Sequence, residues 1–511
     1  MRQLKAFLVF CLTTIQVACV QTSADLNVVP TGQTSDVLAI NSSTTDMKQT
    51  NPASASREIP LTGAKPVSLD DDAIPTNAAL PLAGVNQRPV VGIKTALLVA
   101  ARWRGDRELD MQSLYASSFS EQPRSLSDYL LKASGGRLIL KGTTIKAEFA
   151  EPAPSGGFYD EIREAQKAAR AQGIEPNDYD YFFVVHNNGV GGAQGQMPGN
   201  KIVLRDQPYA GHYLWAHEFG HNLGFSHEST FGGLFDTYIN CPLRGSEVSA
   251  LTGCGTKRYG DTGDPVQGSN GIQSLYPANN RWYAGWLDQS QAAVVNSTGL
   301  YGLGVLGGAG PQLYLINRGA NAAPQQIALE LRQPSPPYDN FAATDNRVTG
   351  VWARYTTMGG RVDNVQLDGT PETATTTDPT LQPGRILKDE AARISVKVCK
   401  ANNLGSVVAV AVNGETLPEC SSVPAKPRIL TPQDGDVTDR TLVISGTSRP
   451  GALVAGFIHN TQDAELLNTY ADAWGDWSVK TKMLPSGKYE VKVKQGMVTG
   501  SPFEIINIEL R

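Results

Sequence analysis

The sequence predicts an α/β domain, a mixed sheet carrying one long helix, followed by two modules built of short strands. Three observations predict it. Between residues 95 and 222, apolar runs of strand length alternate with stretches of helical spacing, the pattern of helices laid on a sheet. From about residue 298 the texture changes to short segments divided by Gly, Pro and Asn turns, as in antiparallel β structures. At Pro424-Ala425-Lys426-Pro427 a stiff linker opens one more set of strands. The expected divisions are a leader (1–24), a disordered tether (25–90) and domains at 91–297, 298–423 and 424–511.

Taken in order, Met1-Arg2-Gln3-Leu4-Lys5 forms a positive region and Ala6 to Ala18 a short apolar one, the make-up of an export signal. The apolar stretch is too short to remain as a membrane span. Cleavage after Ala18 leaves Cys19 at the new terminus, a candidate for lipidation as in a bacterial surface or outer-membrane lipoprotein; cleavage after Ala24 gives plain secretion. A lipid at Cys19 is the only membrane attachment expected. With Cys11 and Cys19 set aside, Cys241, Cys254, Cys399 and Cys420 remain. Four cysteines allow three pairings, and the short loops favour Cys241–Cys254 and Cys399–Cys420, consistent with an oxidising compartment.

The tether is rich in Ser, Thr, Asn and Pro, as in Asn41-Ser42-Ser43-Thr44-Thr45, and lacks apolar periodicity. Order begins near Val90. Thr95 to Ala101, Arg137 to Gly142, Tyr181 to His186 and Lys201 to Leu204 read as strands, while Leu126 to Ala133 and Tyr159 to Gln172 read as helices. Charged residues are 18% of the chain and the net charge is −5, which excludes the basic footprint of a nucleic-acid binder.

The long helix begins near Tyr213 and contains His217-Glu218-Phe219-Gly220-His221-Asn222-Leu223-Gly224-Phe225-Ser226-His227. This is H-E-x-x-H-x-x-G-x-x-H, a zinc signature. His217 and His221 project from one helix face. Gly224 lets the chain leave the helix through a left-handed residue, so that His227 can return to the same Zn²⁺. Three histidines and one water complete a tetrahedral catalytic site. Glu218, beside His217, is placed as general base and later as proton donor. Six histidines occur in 511 residues, and three fall in these eleven positions, so chance spacing is a poor explanation. Of the others, His186 ends a buried strand and reads as a core residue, His212 as a helix-start residue and His459 as a surface residue.

Downstream stand Tyr259-Gly260-Asp261-Thr262-Gly263-Asp264-Pro265-Val266-Gln267-Gly268 and Pro277-Ala278-Asn279-Asn280-Arg281-Trp282-Tyr283-Ala284-Gly285-Trp286-Leu287. With the histidine motif, and with Leu126 to Leu140 upstream, they resemble the gametolysin family of metzincin metallopeptidases over about Thr95 to Leu287. The resemblance implies a metzincin-like catalytic domain with one catalytic Zn²⁺ and a turn beneath the metal that carries a methionine in the family. Here that position is Gln267, or Val266 if the register slips by one. The methionine packs under the histidines without binding metal, so its replacement implies a looser site that keeps its zinc. Some metzincins use a tyrosine after the turn as transition-state donor; Tyr276 and Tyr259 are the candidates, although packing is the commoner role of a tyrosine. Asp261 and Asp264 could hold a structural Ca²⁺, against the more frequent reading of turn-forming aspartates.

In the C-terminal half, Gln312 to Ile316, Gln326 to Leu331, Gly350 to Tyr355 and Ile394 to Val398 read as strands of a β-sandwich, and Asp363 to Thr380 as a polar, Thr-rich loop. About seven short strands follow Arg428. Their I-x-G-T-x-x-P-G-A and D-x-x-G-x-W-S patterns resemble bacterial immunoglobulin-like modules, which position or attach an enzyme; fold alone gives no ligand. The expected function is a secreted or surface-tethered zinc endopeptidase acting on extracellular proteins or glycoproteins. The competing reading is an adhesin or binding protein on an inactive zinc fold. The missing methionine favours the second, and the intact Glu218 the first.

Overall fold

The computed structural model describes residues 60–64, 77–79 and 89–511, apart from short stretches at 188–191, 206–211, 228–235, 269–272, 309, 320–321, 323, 404, 421–426, 449–451, 472–475 and 497–501. The export signal, both cleavage points, Cys19 and most of the 25–90 tether and the 424–427 linker lie outside the described residues. Of the described residues 41% lie in strands and 14% in helices, a β-rich make-up with several sheets. Among the described residues no helix is long and apolar enough to cross a membrane.

The first sheet runs in the order Leu138–Glu148, Gly92–Arg102, Tyr181–His186, Lys201–Arg205, Gly192–Gly195. Its first four strands are parallel and the last is an antiparallel edge. Parallel neighbours need crossovers, and helices supply them. Helices α1 (Met111–Ser118) and α2 (Leu126–Ala133) join the first two strands in sequence, and α3 (Phe158–Ala171) leads to the third. Ser125 caps α2 by accepting the Asp128 amide. Leu126, Tyr129, Leu130 and Ala133 then fall on one buried stripe. On the other side of the sheet, Ile162, Ala165 and Ala169 of α3 pack against Leu97, Val99, Phe182 and Val184. Helix α4 (His212–Asn222) shares the α2 side, with Trp215 and Phe219 against Tyr181 and Phe183.

Two further sheets face each other across a core of Val, Leu, Ile and Tyr. One has eight strands and the other six. These sheets do not part from the first domain at residue 297. The eight-stranded sheet takes in Ala292–Val295 and ends on Phe225–Ser226, which pairs in parallel with Val362–Asp363. Leu243–Arg244 and Glu247–Ser249 join the six-stranded sheet. One apolar cluster accordingly runs from Val90 to Val362. Two sequence expectations need correction. Pro60–Ala64 and Asn77–Ala79, within the expected disordered tether, pair with each other, and the former also pairs with Ala292–Val295. Main-chain pairing at a sheet edge needs no apolar periodicity. Asp363 to Gln366, expected as loop, lies in the strand Val362–Gln366, every residue of which is buried. Its polar side chains hid it, because they bond to one another inside the protein rather than to water.

Residues 428–511 form a sandwich of three and five strands around Trp477, Ile444, Val491 and Ile508. Both favoured cysteine pairs are joined, Cys241 to Cys254 and Cys399 to Cys420.

Candidate metal centre

Helix α4 ends where Leu223 and Gly224 donate to the Phe219 and His221 carbonyls, at 3.0 and 2.8 Å. Gly224 takes φ +88°, a region open to glycine without strain. The chain reverses there, and Phe225–Ser226 brings His227 back. The rings of His217, His221 and His227 meet with centroids 4.8, 4.8 and 5.7 Å apart. One nitrogen from each lies within 4.8 Å of the others.

The hydrogen bonds of two rings fix their tautomers. His217 Nδ1 lies 2.9 Å from the Pro265 carbonyl, and His221 Nδ1 lies 2.8 Å from the Phe225 carbonyl. A carbonyl only accepts, so both Nδ1 atoms carry hydrogen. Burial holds both imidazoles neutral, with pKa values lowered to about 4 for His217 and about 3 for His221. Both Nε2 atoms are therefore bare, yet they face each other at 3.2 Å. Two lone pairs at that distance repel unless a cation lies between them. The donor set of three imidazoles, two anchored through Nδ1, fits Zn²⁺.

Glu218 is buried, and burial raises its pKa to about 8, opposed by the Gly195 amide and the charge of Arg205. Gly195 belongs to the edge strand Gly192–Gly195. A Cβ there would collide with the Glu218 carbonyl and lie 3.0 Å from His221 Cβ, so glycine is what lets strand and helix approach.

Beneath the histidines runs Asp264-Pro265-Val266-Gln267. The resembled family carries a methionine where this sequence offers Gln267, or Val266 if the register slips by one; in the structure both residues are buried. Val266 packs under Gly220, where an added methyl would strike its Cγ2. Gln267, 3% exposed, donates from Nε2 to the Ser226 carbonyl at 2.6 Å. Asp264 accepts from the Val266 amide at 2.9 Å and from Asn280 and Asn364 at 3.3 Å each. Asp261 accepts from Gly263 and, through both oxygens, from Arg354. Both aspartates are buried and act as turn and core residues.

Tyr276 is fully buried, its hydroxyl donating to the Ala216 carbonyl at 2.5 Å, and it packs edge-on against Tyr129 and Phe225. It supports α4 from below and is not aimed at the triad. Tyr259 does border it, with its ring 5.9 Å from His227. His186 is fully buried, with its nitrogens 3.8 Å from Asp106 and 3.3 Å from Glu161. His212 starts α4, stacked on Tyr129. His459 is half-buried and bonded to Glu490 at 3.0 Å.

No family model matches this chain. No curated protein matches it either. Among solved structures, the endo-β-1,4-mannanase from Thermotoga petrophila is similar at 11% identity, with a TM-score of 0.14, over 20% of this chain and 21% of that one. So small an overlap carries no argument about fold or activity.

Several neighbours of the triad escaped the sequence reading. Tyr213, with its ring 5.9 Å from His217 and its hydroxyl on the Gly268 carbonyl at 3.1 Å, had a signal, since it lies one helical turn before His217. The carbonyls of Pro265, Phe225 and Ser226 had none, because every residue carries one.

Proposed function

We propose that this chain is a zinc-dependent endopeptidase of extracellular proteins, built on a metzincin-like catalytic core. The observation that carries the proposal is the pair of bare imidazole nitrogens 3.2 Å apart beside a buried carboxylate. When bound, Zn²⁺ supplies a Lewis acid for the scissile carbonyl and lowers the pKa of a water at the open position.

The chain's own residues do the rest. His217 and His221 hold their Nε2 lone pairs toward one centre because Pro265 and Phe225 anchor the opposite nitrogens. His227 closes the set. Glu218 takes a proton from the attacking water and returns it to the leaving amine nitrogen. The Gly195 amide, which bonds to the carboxylate, orients it for that transfer. The two disulfides are compatible with an extracellular setting.

The test is metal analysis together with digestion of casein, gelatin and natural glycoproteins by the wild type and Glu218→Ala. About one zinc per chain is expected in both proteins, with chelator-sensitive digestion in the wild type alone. Absence of zinc from both overturns the proposal. Zinc in both without digestion of any substrate favours the adhesin reading instead.

A further inference from the structure

We infer that Gln267 is a positioning residue for the metal: its side-chain amide fixes the peptide that carries His227, a task a methionine in its place could not perform. The inference rests on the zinc reading above. Two of the three histidines are placed by a rigid helix and by carbonyls behind their rings. His227 lies beyond the helix, which ends at Gly224, and the short segment that carries it is held from elsewhere in the chain.

Two contacts do so. Phe225–Ser226 pairs in parallel with Val362–Asp363, which sets the height of this short strand. Gln267 Nε2 then donates 2.6 Å to the Ser226 carbonyl, and the nitrogen of that same peptide belongs to His227. A peptide is planar, so a hydrogen bond on its oxygen fixes the orientation of the whole unit and the direction in which the His227 Cα leaves it. Gln267 cannot swing away, being 3% exposed. It is also the last of three consecutive residues that back the site. Pro265 holds the His217 ring, Val266 fills the space under Gly220, and Gln267 holds the His227 peptide. Asp264, just before them, is tied to Asn280 and Asn364. A methionine has the length of glutamine but no donor. It would fill the same space and leave the peptide plane free to rock.

The experiment uses the full-length protein with Gln267→Met and Gln267→Leu, both of which fill the space without a donor. Zinc retention is measured by competition with a chelator, and the cobalt(II)-loaded forms are compared by visible absorption. Each variant is expected to hold zinc about 10- to 100-fold more weakly, the usual effect of losing a group behind a ligand. The cobalt bands should be altered, while the near-ultraviolet circular dichroism and melting of the metal-free protein stay close to wild type. If Gln267→Met fails to fold, Gln267→Leu decides by the same two readouts. A folded variant with wild-type zinc affinity and an unchanged cobalt spectrum overturns the role of Gln267 and leaves the zinc reading standing. A wild type that binds no zinc removes both.

Discussion

Glu218 and His217 are adjacent, and burial drives their titration in opposite directions. The carboxyl is raised to about 8 and the imidazole lowered to about 4, so in the metal-free chain both favour the neutral form near pH 7. A dication among the histidines would reverse this for the carboxyl by favouring its charged form. Replacing Glu218 by Gln keeps the shape and removes the proton acceptor. Proteolysis should fall by about 10²- to 10⁴-fold, the span of general acid–base contributions, with zinc content unchanged by metal analysis. His212 gives a separate prediction. Burial lowers its pKa from 6.5 to about 4, so the unfolded chain takes up the proton first as pH falls. Stability is therefore lost between about pH 6.5 and 4. Removing this proton in His212→Phe should flatten the fall of melting temperature across that window. A curve parallel to wild type would show that His212 contributes nothing to acid sensitivity.

At the scale of elements, α4 and the turn below it are fitted to within a methyl group. Gly220→Ala should cost about 1–3 kcal/mol by overpacking against Val266, read by chemical denaturation. The double variant Gly220→Ala/Val266→Ala should recover most of that loss. If it does not, the collision is elsewhere. Sequence patterning exposed the elements whose apolar residues follow a period. Helix α2 was legible over Leu126 to Ala133, whose residues 126, 129, 130 and 133 form its buried stripe, and α4 from the spacing of its histidines. The strand Val362–Gln366 was not, because Asp363, Asn364 and Gln366 mimic a loop. Inside the protein Asn364 bonds to Asn279, Asn280 and Asp264, and Gln366 accepts the Thr262 amide. Nor could the sequence show what Gln267 touches, since its partner is a main-chain oxygen. The triad was readable because its three histidines stand at the spacing that a metal site would demand; its backing was not, because carbonyls have no spelling.

Across the whole molecule, the C-terminal sheets are part of the first domain's foundation rather than an appendage. Arg354 joins Asp261, under the triad, to Glu330 in the eight-stranded sheet, with contacts of 2.7 and 2.5 Å. Glu330 in turn meets Arg332, and Arg332 meets Asp339. All of these groups are buried. Arg354→Met leaves the buried Asp261 without its cation, while Glu330 keeps Arg332, and should destabilise the protein by about 3–5 kcal/mol, measured by denaturant unfolding. The module at 428–511 has its own core, so a protein ending before residue 424 should keep its zinc and its proposed digestion of casein. Loss of zinc from that truncated protein would show that the module supports the site. The pairing of Phe225–Ser226 with Val362–Asp363 also orders events during synthesis. Helix α4 and its two histidines leave the ribosome well over a hundred residues before the strand on which the third histidine's segment must rest. Until that strand arrives, a nascent chain holds two of the proposed ligands on their helix and lacks the strand that seats the third. A cell making the proposed peptidase would be sheltered from it by chain order alone, because the proposed centre closes only once the chain has been delivered as far as Asp363.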